Sequence, residues 1–223
     1  MSKYKLTYMN FRARAEAARM LFFMKGVEFE DIIIEDGTWL DVKHTFPLGQ
    51  IPVLEVDDVI ITQTRPLTRY LGREFGYYGE TNLEAAQIDS IMDVCDDIHV
   101  AAQPIYKYDG AGMAGEFDAK KYEVENAEVL KEYREVIVPG FLSQLQTLFL
   151  MNKNDDGYFV GKEITIADLY YFATFDYVEI YKKDMFAGFP KMAALYKKIM
   201  AHDKVAEYLK KTDYGNNPMD QYK

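Results

Sequence analysis

Apolar and polar positions alternate from Tyr4 to Tyr8, a period of two that predicts a first β-strand. From Ala15 to Met24 the period lengthens. Ala18, Leu21 and Phe22 fall near one face and Gly26 closes the segment, which predicts an amphipathic helix. Phe29 to Ile34 is apolar enough to predict a second strand buried on both faces. Strand, helix and strand within about thirty residues predict a right-handed parallel crossover.

An irregular stretch, 36–49, follows and holds the only tryptophan. Val53, Leu54 and Val56 then predict a short strand, Asp57-Asp58 a tight turn, and Val59 to Ile61 the returning strand of a hairpin. Pro52 has no N–H and is tolerated at a strand's first residue. The Ile51–Pro52 bond is read either as an ordinary trans bond or as cis, which costs an X-Pro bond only about 0.5–1 kcal/mol. In the cis form, Ile51 would turn its N–H and C=O outward toward an extended ligand. Thr64 is read as the N-cap of a helix running through Leu67, Tyr70 and Leu71, with Pro66 compatible with its first turn. Free N–H groups and a partial positive charge at such a helix start suit a carboxylate. The order β-α-β-(α)-β-β-α is that of a thioredoxin-like domain.

The run Gly76-Tyr77-Tyr78-Gly79-Glu80-Thr81-Asn82 breaks the periodicity and is read as a packed linker. It divides the chain into residues 1–79 and residues 80–223. From Leu83 onward no strand is predicted. Helices are expected from Leu83 to about Tyr108, from Phe117 to Leu150 with a bend at Pro139, from Thr165 to about Tyr181, from Lys191 to Met200 and from Val205 to Lys211. Glycine-rich 109–115 separates the first two, 152–157 is a polar loop, and Gly215 onward is a tail. The Thr165 helix is the best signalled. Thr165 is its N-cap, Asp168 its N3 acid, and Ile164 and Leu169 occupy staple positions. The expected fold is α/β plus all-α: a thioredoxin-like domain followed by an all-helical domain.

Composition narrows the function classes. The chain has 223 residues, 49% hydrophobic and 28% charged, enough for one large or two modest folded domains. A net charge of −10 argues against nucleic acid and against an anionic membrane surface. An anionic ligand must therefore be drawn by a local cationic patch. The single cysteine, Cys95, excludes an internal disulfide framework and reads as a small buried hydrophobe. His44, His99 and His202 show no metal-ligand spacing, so no metal is expected. No apolar run suggests a signal peptide or a span of ~20 residues, and a reducing cytoplasmic setting is expected.

Several residues can carry chemistry. Tyr8 ends the first strand at the sheet edge where ligands bind in open α/β sheets. A phenol there either sits with a wet hydroxyl or donates to an anion. Arg14, at the start of the first helix, would favour charge beside it. Trp39 and Lys43, four apart, are either a packed indole and a surface amine or a pair that holds a small carboxylate. Asp96-Asp97 is either a solvated helix face or part of a site.

Gln50-Ile51-Pro52-Val53-Leu54 followed by Gln63-Thr64 and Arg69-Tyr70-Leu71 resembles the glutathione-binding half of the cytosolic glutathione transferases. Lys5-Leu6-Thr7-Tyr8 with Arg12-Ala13-Arg14-Ala15-Glu16 resembles the opening of their sigma class, and the likeness runs from Tyr4 to about Lys211. The resemblance implies a homodimeric enzyme that joins the thiolate of reduced glutathione to small hydrophobic electrophiles. It implies catalytic roles for Tyr8 and Arg14. Glutathione contacts are implied at Tyr8, Trp39, Lys43, Gln50, Ile51, Pro52, Gln63 and Thr64, with Asp97 reaching the ligand's amine across a dimer interface. Met9, Ala13, Asp96 and His99 would border the electrophile.

The chain departs from the family pattern at Ala13, where glycine is usual, and at Met9, where an aromatic is frequent. Thr64 stands for serine, and Arg65 adds a positive charge beside the γ-glutamyl position. Residues 109–119 read as an insertion. Gln103-Pro104-Ile105 stands where the prostaglandin D synthase branch has a lid tryptophan. A glutathione-dependent prostaglandin isomerase and a structural lens crystallin of the same class are the alternative readings. The insertion and the substitutions near Tyr8 favour the crystallin, whereas the acidic composition and ordinary methionine and arginine usage disfavour it, since those crystallins tend toward Met- and Arg-rich chains.

Overall fold

The computed structural model describes residues 2–35, 37–102, 123–152, 157–178 and 184–212. Four strands form one sheet: β1 Tyr4–Met9, β2 Glu30–Ile34, β3 Val53–Val56 and β4 Val59–Thr62. Their order is β2-β1-β3-β4. β1 and β2 run parallel with Tyr8 opposite Ile33, and the crossover between them is α1, Glu16–Lys25, entered through a 3₁₀ turn at Ala13–Ala15. β3 pairs antiparallel with β1 and with β4, in the register Thr7–Val53–Thr62.

The expectation that β2 is buried on both faces fails. β2 lies at the sheet's edge with β1 as its neighbour, Glu30 is exposed, and Asp31 to Ile34 are half-buried. A short apolar run looks the same in sequence whether one face or two are covered. Asp31 in fact carries an ion pair with the buried Arg19 of α1, at 3.0 Å.

Helix α2 is a single turn, Trp39–Val42, continued by a 3₁₀ turn at Lys43–Thr45. The hairpin turns at Asp57, with φ +53°, and its backbone N–H donates to the Lys3 carbonyl. α3, Thr64–Phe75, ends at Gly76, whose φ of +84° is the left-handed conformation that glycine adopts without Cβ strain. The Gly76–Thr81 connection is packed, as its tyrosines suggest: Tyr78 is buried and hydrogen-bonds Asp89.

α4 spans Asn82–Ala101 and opens with a capping box. Glu84 donates its backbone N–H to the Thr81 hydroxyl while its carboxylate accepts from the N–H of Thr81. The Thr81-x-x-Glu84 spacing carries this signal in the sequence. Further helices are α5 Ala127–Glu132, α6 Val138–Met151, α7 Ile166–Val178, α8 Pro190–Ala201 and α9 Asp203–Lys211. Between α5 and α6 a π-helical turn covers Tyr133–Ile137, directly before Pro139. A proline cannot donate the i→i−4 bond, and the wider turn accommodates that loss. The expected helix beyond Ala102, the glycine-rich break, the supposed insertion, Gln103–Ile105 and the tail lie outside the described residues.

α7 is the central helix of the second half, buried along nearly its whole length. Thr165 caps it as expected: its hydroxyl accepts from the Ala167 N–H at 3.3 Å and its own N–H donates to Asp168 at 2.8 Å. Asp168 is fully buried, and its second oxygen accepts from the Phe159 N–H at 2.9 Å. α7 packs on α4, α1 and α8, so it joins the helical half to the sheet half. At that seam a Cβ on Gly72 of α3 would lie 2.7 Å from the Ile166 side chain, and the Ile166 N–H donates to the Tyr77 carbonyl at 2.9 Å.

Candidate active site

The sheet's first strand ends at Tyr8 and Met9, and the chain beyond them must turn sharply to enter α1. Ala13 takes φ +64° in that turn, a conformation that costs an L-residue roughly 1–2 kcal/mol and suits glycine. The turn is held from beneath by Arg19. Its guanidinium is fully buried, donates to the carbonyls of Met9 at 3.1 Å and Phe11 at 2.8 Å, and pairs with Asp31. It also lies 5.8 Å from the centre of the Tyr8 ring. The apolar periodicity of α1 hides Arg19 in the sequence. The signal that could reveal it is the charge series Arg12, Glu16, Arg19, which falls on one helical face.

Above this turn opens a cavity of about 510 Å³. It is bordered by the ends of β1, α2, the Ile51–Pro52 segment, the start of α3 and α4. Tyr8, Met9, Ala13, Arg14, Trp39, Lys43, Gln50, Ile51, Pro52, Gln63, Thr64, Asp96 and His99 all line it. Of the residues to which the family resemblance gives a catalytic, glutathione or electrophile role, all are brought together here except Asp97, which lies exposed on α4 outside this cavity. Phe11, Gly49, Val100 and Tyr177 complete the lining, and of these Phe11, Val100 and Tyr177 escaped sequence reasoning.

Tyr8 is 6% exposed. Burial pushes its phenol up from the ordinary tyrosine value, while the guanidinium charges of Arg14 and Arg19 and the Arg14 backbone amide pull the other way. The net effect keeps the hydroxyl protonated, and so able to donate, at neutral pH. Arg14 sends its guanidinium to Asp96 at 2.8 Å, and Tyr170 donates to the same carboxylate at 3.1 Å. His99 is buried, with its ring tilted against Tyr177 at 5.6 Å. Burial, and then the nearby Arg14 charge, push it down to about 3, so it is neutral.

The opposite wall presents backbone and amide groups. The Ile51–Pro52 bond is cis. Ile51 lies beyond the last rung of the β1–β3 ladder, Thr7–Val53. Trp39 is buried against Phe46, whereas Lys43 is exposed at the rim. Gln63 donates to Gln50 at 2.8 Å, joining the two amides into one surface.

Thr64 is not the N-cap that its hydroxyl suggested. The cap position is Gln63, with φ +71° and ψ +136°, and no side chain caps the helix; Thr64 is the first helical residue. Gln63 must turn the chain out of β4 directly into α3, so the boundary is set by backbone geometry rather than by hydroxyl chemistry. The first N–H in a helical bond is that of Leu67, to the Gln63 carbonyl at 3.3 Å, and Pro66 has no N–H. The amides of Thr64 and Arg65 are then the orphan donors of the helix start, beside the cavity. Arg65 itself turns to α4, where it meets Asp93 at 2.7 Å and reaches toward Asp96 at 3.8 Å.

Residues 4–73 match the glutathione S-transferase N-terminal domain family, and residues 113–212 the glutathione S-transferase C-terminal domain family. A hematopoietic prostaglandin D synthase of Gallus gallus is 34% identical over 214 residues, covering 95% of this chain and 97% of that protein. The chain belongs to the glutathione S-transferase family. S-crystallin 4 of Enteroctopus dofleini is 33% identical and likewise covers 95% of this transferase and 97% of its own length. Among solved structures, monomeric Na-GST-3, a glutathione S-transferase of the hookworm Necator americanus, superposes with a TM-score of 0.74 at 30% identity. That match covers 93% of this chain and 96% of the hookworm protein. Glutathione S-transferases use glutathione as co-substrate, and the cavity offers amides for a peptide and a helix start for a carboxylate. Among the described residues there is no cluster of His, Cys, Asp and Glu able to hold a metal ion. No described helix is long and apolar enough to cross a membrane.

Proposed function

We propose that this transferase is a sigma-class enzyme that conjugates the thiolate of reduced glutathione to hydrophobic electrophiles, with Tyr8 stabilising the thiolate. The observation that carries the reading is a buried, protonated phenol facing a peptide-sized cavity. The glutathione thiol, near ~8.5 in water, is mostly protonated at neutral pH. A charge-assisted hydrogen bond of about 1.5–3 kcal/mol lowers it by roughly one to two units and makes the nucleophilic form abundant. Ile51 backbone, Gln50 and Gln63 would hold the tripeptide. The Thr64 and Arg65 amides would take the γ-glutamyl carboxylate, and Trp39 with Lys43 the glycine carboxylate. Turnover of a chlorinated dinitrobenzene with glutathione tests the reading. Glutathione binding without turnover of any electrophile would favour a structural protein of the crystallin kind instead.

The assembly belongs to the same reading. Asp97 stands outside its own cavity, which supports a homodimer in which it meets the ligand amine of a neighbouring subunit; a cytoplasmic setting and a role in detoxification belong to the same proposal. Sedimentation of a monomer that still binds glutathione would overturn the dimer.

A further inference from the structure

The turn that brings Arg14 to the cavity is strained at Ala13, whose φ of +64° an alanine holds only where its surroundings fix it. The residues on either side of Ala13 are both tied to the helical half of the chain. Arg14 pairs with Asp96 of α4 at 2.8 Å, in the cavity wall. Arg12 stands outside the cavity lining, and its Nη1 donates to both carboxylate oxygens of Asp176 on α7, at 3.3 and 3.4 Å. α7 itself packs on the Ala13–Ala15 turn. Burial works against the Arg12 charge, and the Asp176 carboxylate, followed by Glu16, more than offsets it. Glu16 lies 3.6 Å from Arg12 but belongs to α1, the helix that the turn enters. Of these two acids, Asp176 alone anchors Arg12 across the seam between the halves. The seam matters to the chemistry because the Arg14 backbone N–H faces the Tyr8 hydroxyl and favours charge there. An amide directed at a phenol oxygen polarises the O–H and makes it a stronger donor.

We infer that Arg12 and Asp176 are positioning residues for thiol activation: their ion pair holds Ala13 in its left-handed conformation and so keeps the Arg14 amide on the Tyr8 hydroxyl. The inference rests on the transferase reading and adds to it two residues that stand outside the cavity. Without Asp176 the turn relaxes toward the negative φ that alanine prefers. The Arg14 amide then leaves the phenol oxygen, and Tyr8 becomes a weaker donor to the bound sulfur. The sign of the effect separates positioning from a field effect. Deleting an acidic charge near the site would by itself favour the thiolate and lower its midpoint. Loss of positioning raises the midpoint instead.

The test titrates glutathione bound to wild type, Asp176→Ala, Ala13→Gly and the double variant, by ultraviolet absorbance of the thiolate, with a Tm for each protein. The Asp176→Ala midpoint should rise by roughly half a unit to one unit, leaving about three- to tenfold less thiolate at a pH below it. Glycine holds φ +64° without strain, so the double variant should return to the midpoint of Ala13→Gly alone. A merely structural contact would lower the Tm and leave the midpoint where it is. An unchanged or lowered midpoint in Asp176→Ala therefore overturns the inference and leaves the transferase reading standing. A double variant that keeps the raised midpoint does the same. A wild type whose bound thiol titrates near the free value of ~8.5 overturns thiol activation by Tyr8 and this inference with it.

Discussion

Arg14 and Asp96 meet at 2.8 Å, tying the turn after the first strand to the fourth helix. The contact joins the two halves of the chain at the cavity itself, because one partner neighbours Tyr8 and the other sits beside His99 on α4. Arg65 and Arg69 of α3 extend the seam by pairing with Asp89, Asp93 and Asp96 along one face of α4. The acidic residues recur at i, i+4 and i+7, so a single helical face serves the whole series.

Arg14 and Asp96 should be energetically coupled. Replacing either alone leaves a partly buried charge unpaired, whereas replacing both removes the pair cleanly. In a urea-unfolding cycle of Arg14→Gln, Asp96→Asn and the double variant, the double should be less destabilised than the sum by on the order of 1 kcal/mol. Strict additivity would show that the contact contributes nothing in solution.

Ala13→Gly should stabilise the protein. The φ of +64° at Ala13 is one that glycine adopts freely. Relief of that strain outweighs the extra freedom of glycine in the unfolded chain, and a net gain of about 0.5–1 kcal/mol is expected. Calorimetry should show a raised Tm; a lowered Tm would mean that the alanine methyl contributes packing that exceeds its strain.

Glu16 should make the fold less stable as pH rises. Its carboxyl is fully buried, 3.6 Å from Arg12, whose guanidinium also pairs with Asp176 at 3.3 Å. Burial, and then the Asp176 charge, push it up to about 7, against the pull of Arg12 and Arg19. The native state thus holds a proton that the unfolded chain releases near 4.5. Between these values stability falls with pH, in total by about 3 kcal/mol, and the penalty is complete above about 7. Asp168, raised by burial to about 6, acts in the same direction. Urea midpoints at about pH 5 and about pH 8 should differ less in Glu16→Gln than in wild type. Equal differences would place the titration elsewhere.

Much of this architecture is legible in the residues. The β-α-β crossover, the hairpin and the Thr165–Asp168 cap depend on local chemistry within a few positions, and each appears where its residues imply. Thr64 shows the limit: a threonine before a helix looks like a cap, but Gln63 adopts φ +71° to bring β4 into α3, and that turn is a tertiary requirement. Arg19 and the Arg65–Asp93 pairing are similarly obscure, since their partners lie 12 and 28 residues away. Periodicity reports how buried a face is, not which charge lies across from it. The cavity residues were legible because of the family likeness; their order along the chain would not have assembled them otherwise.

The central claim is that the Tyr8 hydroxyl activates the thiol. Tyr8→Phe keeps the ring against Phe11 and above Arg19, so the cavity and its peptide-binding wall should survive and glutathione should still bind. The direct measurement is ultraviolet absorbance of the bound thiolate against pH. Wild type should show a midpoint roughly one to two units below the free thiol's ~8.5, and Tyr8→Phe a midpoint near ~8.5 with a rate at neutral pH about ten- to a hundred-fold lower. Identical midpoints in the two proteins would contradict the account and shift the activating role to Arg14 or a backbone donor.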